Sequence, residues 1–192
     1  MKELELIKFL NEIEWVKEIL RHNWTTNWRQ ESVAEHSWRL TLMLILIQEI
    51  NNYKIDILKA IKIALIHDIW ELKDWDIPWF IKTKLQNNDH IKNEIETAKN
   101  IFSLLPSPLD KEYFDLFLEY EKSETKEAKL VKALDKIETN LQHLESWPKY
   151  WSDEEKWNHM LNYPNKALEN LNEEFVNNLW IEIKKELEKL TY

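Results

Sequence analysis

Apolar residues recur at three- and four-residue spacing along nearly the whole chain, the signature of amphipathic helices. Leu4, Ile7, Leu10, Ile13, Ile19 and Leu20 outline a first helix over about 3–21. The polar, aperiodic stretch at about 22–31 reads as a loop. Ser32, with Glu35 three residues later, forms a capping-box pattern that starts a second helix running to about Ile50. That helix is apolar on most sides from Leu40 to Ile47, which predicts a central position. Asp56 caps a third helix extending to about Leu72, with Ile57, Ala60, Ile61, Ala64 and Leu65 facing inward. Pro78 and a polar cluster interrupt the pattern over about 73–88, a long loop of the kind that is often functional. Further helices are predicted over about 89–104, 109–122, 124–146 and 165–190, with a short one over 152–161. No strand is predicted. The expectation is an all-α fold with one domain over 1–192.

Composition narrows the function classes. The chain has 192 residues, enough for one core, and a net charge of −9, which argues against coating nucleic acid through phosphate contacts. It has no cysteine, which excludes disulfides, thiolate metal sites and a cysteine nucleophile. Glu3 and Glu5 interrupt the first apolar positions, so a signal peptide is not expected. The longest apolar run is far short of the roughly 20 residues a membrane span needs. A cytoplasmic location without membrane or nucleic-acid partners is therefore expected. Glycine is absent and tryptophan occurs 11 times. Lack of glycine removes the Walker A loop, the GxGxxG turn and the GxSxG elbow, each of which needs glycine's backbone freedom.

Chemistry must then come from side chains on helices. His36 lies early in the second helix. His67 and Asp68 follow the apolar run Ile63-Ala64-Leu65-Ile66. Asp135 interrupts Leu130-Val131-Lys132-Ala133-Leu134. Imidazole and carboxylate donors suit a divalent ion such as Mn, Fe, Co, Ni, Zn or Mg. Two of each leave coordination positions for water and substrate. The bland alternative is a chance His-Asp pair beside a satisfied core aspartate. Against it, several ionisable groups in apolar registers are costly unless they share a cation.

The motifs around these residues extend the match. Arg29-Gln30-Glu31-Ser32-Val33-Ala34-Glu35-His36-Ser37-Trp38, Leu65-Ile66-His67-Asp68-Ile69-Trp70-Glu71, Asp76-Ile77-Pro78 and Glu127-Ala128-Lys129-Leu130-Val131-Lys132-Ala133-Leu134-Asp135-Lys136 together resemble the HD-domain metal-dependent phosphohydrolases. They are most similar to the branch with YfbR-type 5′-deoxynucleotidases and HD-domain-containing protein 2. The likeness spans about 5–145, leaving about 146–192 as a helical extension. It implies a single helical HD-domain bundle, with His36, His67, Asp68 and Asp135 as metal ligands. It also implies Glu71 and Asp76 as catalytic groups, Arg21 as a phosphate contact, a nucleotide substrate and a homodimer. Glu71 would orient or deprotonate water, and Asp76 would deliver a proton to the leaving sugar oxygen or discriminate ribose. The implied reaction is removal of the 5′-phosphate from (deoxy)nucleoside monophosphates. The alternatives are phosphodiester or pyrophosphate hydrolysis of another nucleotide, and a helical interaction protein with a structural or vestigial metal site.

Around that core, Glu35 reads as a capping residue, Arg29 and Glu31 as an ion pair, and Trp38 as a packing residue. His22, His90, His143 and His159 read as surface or structural. Trp15, Trp28, Trp70 and Trp75 stand where the resembling sequences usually carry glycine. A gene that writes glycine as UGA, translated with a table that reads UGA as tryptophan, yields tryptophan at such positions; the alternative is a chain that is glycine-free by nature or by engineering. Read as written, Trp70 and Trp75 are expected to crowd the rim of the site.

Overall fold

The computed structural model describes residues 1–74, 88–146, 151 and 160–191. It is predominantly helical, as expected. Helix α1 is Lys2–Glu12, followed by a 3-10 turn at Ile13–Lys17. Strands β1 (Leu20–Trp24) and β2 (Gln30–Ser32) come next, then α2 (Val33–Asn51), α3 (Ile57–Ile66) and the short α4 (Glu71–Asp74). The chain continues through α5 (Asn88–Phe102), α6 (Leu109–Lys122), α7 (Lys126–Glu145), α8 (Asn165–Leu171) and α9 (Glu174–Thr191).

The central packing unit is α2, α3 and α7, which pack against one another. Leu40, Leu44, Ile63, Leu130, Leu134 and Ile137 are buried there. Burying each such side chain stabilises the fold by about 1.5–3 kcal/mol. Helix α6 closes the layer over α3 and α7, while α8 and α9 pack on the other parts of α7. Local signals set several boundaries. Ser32 Oγ accepts from the Glu35 backbone N–H, and the Glu35 carboxylate accepts from the Ser32 N–H, completing the capping box that starts α2. Asp56 accepts from the Lys59 N–H at the start of α3, and Thr125 from the Ala128 N–H at the start of α7.

Several expectations require correction. The first helix does not reach 21, because the chain leaves the 3-10 turn into an antiparallel hairpin with Leu20 opposite Ser32 and Trp24 opposite Gln30. The segment at 22–31 is therefore partly strand. On α1 the apolar positions Leu4, Ile7 and Leu10 are exposed, and Phe9 is the residue that enters the core. The third helix stops at Ile66, and tight bonds from Ile69 N–H to Ile66 O (3.1 Å) and Glu71 N–H to Asp68 O (3.1 Å) carry the chain into α4. Leu65, expected inward, is exposed. The last predicted helix is split at Asn172, which adopts a left-handed backbone (φ 54°) between α8 and α9.

The tryptophans fall into different settings. Trp70 packs in the hydrophobic core rather than crowding a rim. Trp15 is exposed, and so is Trp38, which corrects the packing role expected of it. Trp28 has φ 61°, a left-handed conformation that a bulky side chain disfavours and glycine accepts. Trp75 lies outside the described residues.

Candidate metal centre

Two helices and a turn deliver the ionisable residues to one buried point. His36 sits in the first turns of α2, which the capping box anchors. His67 and Asp68 occupy the tight turn after α3. Asp135 projects from the middle of α7. The break at Ile66 has a chemical consequence, because the turn lets adjacent His67 and Asp68 reach the same place.

The donor atoms converge closely. His36 Nε2 lies 3.3 Å from His67 Nε2, 3.3 Å from Asp135 Oδ1 and 3.9 Å from Asp68 Oδ2. His67 Nε2 lies 3.2 Å from Asp68 Oδ2 and 3.9 Å from Asp135 Oδ1. Ligands about 2.1 Å from one ion are separated by roughly 3.0 Å at a right angle and roughly 3.4 Å at the tetrahedral angle. The spacing of His36, His67 and Asp135 is that of a group able to hold one divalent ion, with Asp68 Oδ2 beside them. His36, His67 and Asp135 are all buried.

The expected ligands are also held from behind. His67 Nδ1 meets the Ala64 carbonyl at 2.9 Å. Tyr120 donates its hydroxyl to Asp135 Oδ2 at 2.8 Å, and Lys136 Nζ lies 2.9 Å from the same oxygen. His36 Nδ1 contacts Glu138 Oε2, and Arg39 Nε donates to Glu138 Oε1 at 2.6 Å. Such outer contacts fix ligand orientation and tune basicity.

Arg21 borders the cluster. Its alternation on β1 sends Arg21 and Asn23 inward, where Asn23 Nδ2 donates to the Thr139 carbonyl at 3.2 Å and pins the strand to α7. Arg21 Nη1 donates to Asp68 Oδ2 at 3.0 Å, and its Nε lies 3.4 Å from Glu31 Oε2. Arg29 pairs instead with Glu35, so the expected Arg29–Glu31 pair is corrected. Glu31 is buried on β2 against Arg21, whereas Arg29 lies exposed in the turn before β2, within reach of Glu35.

Electrostatics follow from this crowding. Burial opposes charge on Asp68, but His67 and Arg21 outweigh it and hold the carboxyl below its usual range. Burial likewise opposes charge on Asp135, yet Lys136 and the two histidines keep it ionised. Burial and Arg21 disfavour a cation at His36, but Glu138 and Asp135 prevail and push its pKa up to about 10. Glu31 is pushed up to about 7, first by burial and then by the charge of Glu138.

Glu71 is buried at the start of α4, four residues after His67. Asp76 lies outside the described residues. Thus the four expected ligands and Arg21 are brought together. Glu138, Tyr120, Lys136 and Arg39 were not anticipated. Glu138 had a legible signal, since it follows Asp135 by three residues and shares its helix face. Tyr120 had none, as it arrives from a different helix. His143 proves structural: it is buried, with its ring centroid 5.7 Å from that of Trp151. The side chains of His90 and His159 lie outside the described residues.

Known proteins show the same architecture. The family model described as HD domain matches residues 13–176. The human protein named 5′-deoxynucleotidase HDDC2 is 33% identical over 139 residues, which are 71% of this chain and 66% of that protein. The chain thus spans just under two thirds of the human relative's length. The Dictyostelium discoideum protein of the same name is 36% identical over 151 residues, covering 74% of this chain and 76% of its own. A crystal structure titled "predicted metal-dependent phosphohydrolase", from Magnetospirillum magnetotacticum, superposes with a TM-score of 0.79 at 26% identity, covering 98% of this chain and 93% of that one.

Proposed function

Because the chain belongs to the HD domain family, we propose that it is a metal-dependent 5′-deoxynucleotidase, hydrolysing nucleoside 5′-monophosphates to nucleoside and inorganic phosphate. The observation that carries this reading is the convergence of His36, His67, Asp68 and Asp135 at 3.2–3.9 Å beside the buried Arg21. Relatives in human and Dictyostelium named 5′-deoxynucleotidase support the substrate class.

In this reading the four side chains hold a divalent ion, which supplies Lewis acidity toward the phosphoryl group and acidifies water. Arg21 offers a planar guanidinium to the phosphate, where it offsets charge that builds in the transition state. Glu71 orients the attacking water and accepts its proton. Asp76 delivers a proton to the departing 5′ oxygen or discriminates ribose. Burial of the ligand cluster excludes bulk water and keeps these electrostatic contacts strong.

Two further features belong to the proposal. We assign a homodimer, supported by an exposed stripe on α2 at four-residue spacing, Trp38, Leu42, Leu46 and Ile50. We also assign a cytoplasmic location. Among the described residues no helix is long and apolar enough to cross a membrane.

A phosphate-release assay against paired deoxy- and ribonucleoside monophosphates, with Mn²⁺ or Co²⁺ and with chelator, tests the activity. Metal-dependent release that is fastest for deoxynucleotides and lost in Asp68→Ala is the expected result. A tightly held ion without release from any monophosphate would replace the enzyme reading with a structural metal site.

A further inference from the structure

We propose that Glu138, backed by Arg39, is a positioning residue that fixes the tautomer and ring orientation of His36 and thereby sets the metal affinity of the centre. The inference rests on the reading of His36 as a metal ligand and goes beyond it to a residue outside the ligand set.

The geometry is specific. Glu138 is fully buried on α7 and projects from the same face as Asp135. Its two oxygens have separate tasks. Oε2 contacts His36 Nδ1, while Oε1 accepts from Arg39 Nε at 2.6 Å. Arg39 is itself braced by the Glu138 carbonyl at 3.4 Å and by Glu145 Oε2 at 3.3 Å. The opposite ring nitrogen, His36 Nε2, faces His67 Nε2 and Asp135 Oδ1, each at 3.3 Å.

A carboxylate can only accept a hydrogen bond. Glu138 therefore holds a proton on His36 Nδ1 and leaves the Nε2 lone pair to the metal. The carboxylate also makes the imidazole a stronger donor to a cation. His67 is served differently, since its Nδ1 faces the neutral carbonyl of Ala64 at 2.9 Å. The two histidines are thus unequal, and His36 carries the charged support.

Glu31, His36 and Glu138 could also be viewed as a second metal pocket. The cations already there oppose that view. Arg21 Nε lies 3.4 Å from Glu31 Oε2, and Arg39 pairs with Glu138, so both carboxylates face guanidinium groups. The cluster is a support for the first site.

The test is titration of the whole chain with Mn²⁺ alone, read by calorimetry. Glu138→Gln keeps the size of the side chain and removes its charge. The expected result is a Kd for Mn²⁺ weakened about 10–100-fold, with the chelated variant still melting cooperatively. A wild-type Kd in that variant overturns the proposal. A wild-type chain that fails to bind Mn²⁺ overturns the metal reading itself, so the two failures are distinct. Should Glu138→Gln not fold, ¹⁵N NMR of the Zn²⁺-loaded wild type decides. A proton on His36 Nδ1 supports the proposal, and a proton on Nε2 overturns it.

Discussion

Replacing Arg21 with methionine separates its two roles, as counter-charge and as phosphate contact. Arg21 is buried, donates to Asp68 Oδ2 at 3.0 Å and lies 3.4 Å from Glu31. Removing one partner of a buried ion pair costs about 3–5 kcal/mol, because the other charge is stranded. Glu31 adds little to that cost at neutral pH, since a carboxyl whose pKa is about 7 can take up a proton. Asp68 cannot do so readily, being held below its usual range by His67 as well as Arg21. The metal-free variant should therefore lose about 3 kcal/mol, which for a chain of this length is roughly 6–12 °C in melting temperature. An ion on Asp68 replaces the missing positive charge and no longer competes with the guanidinium. Part of the loss should be recovered with Mn²⁺, about 1.4 kcal/mol, equivalent to a tenfold tighter Mn²⁺ affinity than wild type. Phosphate release should fall at the same time. Thermal melts with EDTA and with saturating Mn²⁺, beside a phosphate assay, measure all three quantities. An identical loss of melting temperature with and without Mn²⁺ would refute the coupling between Arg21 and the metal centre.

Other perturbations address the ligands, the hairpin turn and a pair remote from the site. Mn²⁺ at a hundredfold excess over its Kd should stabilise the wild type by about 2.7 kcal/mol, or roughly 5–10 °C, and His36→Ala should abolish the gain; a melting curve indifferent to Mn²⁺ would count against the four-ligand assignment. At Trp28, where φ is 61°, Trp28→Gly should be more stable than Trp28→Ala by about 1 kcal/mol, since both lose the indole and only glycine sits freely in the left-handed region. At Trp15, in a right-handed 3-10 turn, the order should reverse by about 0.5–1 kcal/mol, and matching orders at the two positions would remove the backbone argument. Burial opposes charge on Glu127, but the Asp56 N–H and Lys59 hold its pKa below the ordinary value. Its stabilisation is therefore complete above about pH 5 and is lost as pH falls through the lowered folded value. Glu127→Gln should cost under about 1 kcal/mol at pH 7, and the two melting temperatures should converge as the pH falls through the lowered folded value.

What could be read from the chain depended on whether the signal was local. The start of α2 was legible because Ser32 and Glu35 complete their bonds within one turn. The ligands were legible because ionisable residues stand out against apolar registers. The end of α3 was hidden, since the apolar pattern runs on through Ile69 and Leu72 while the backbone turns at His67. The hairpin was hidden for a different reason. A strand normally announces itself by alternating apolar residues, but β1 and β2 alternate polar ones inward: Arg21, Asn23 and Glu31 are buried because they serve a polar centre. A sequence pattern scored on hydrophobicity cannot see an inward face made of charge. The pairing of Arg29 was missed with it, because Glu31 is drawn into the buried pair with Arg21 while Arg29 stays in the exposed turn beside Glu35.

That distinction also gives the absence of glycine a physical address. The proposed metal ligands come from α2, from α7 and from the turn after α3, and none of them is among the residues with positive φ. Asn52, Ser123 and Asn172 adopt left-handed backbones at helix ends, and asparagine at such a position costs little. Trp28 is different, for it lies in the turn joining the strands that carry Arg21 and Glu31, with Thr25 N–H bonded to the Arg29 carbonyl at 2.8 Å across that turn. Strain at Trp28 therefore acts on the placement of Arg21 and Glu31, whereas His36, His67, Asp68 and Asp135 are fixed by packed helices. Trp28→Gly should alter KM for the phosphorylated substrate and, because Arg21 touches the ligand Asp68, shift Mn²⁺ affinity by far less than the roughly tenfold change expected of Arg21→Met. A change in metal affinity without one in KM would mean that the hairpin, and not the helical layer, sets the geometry of the ligands.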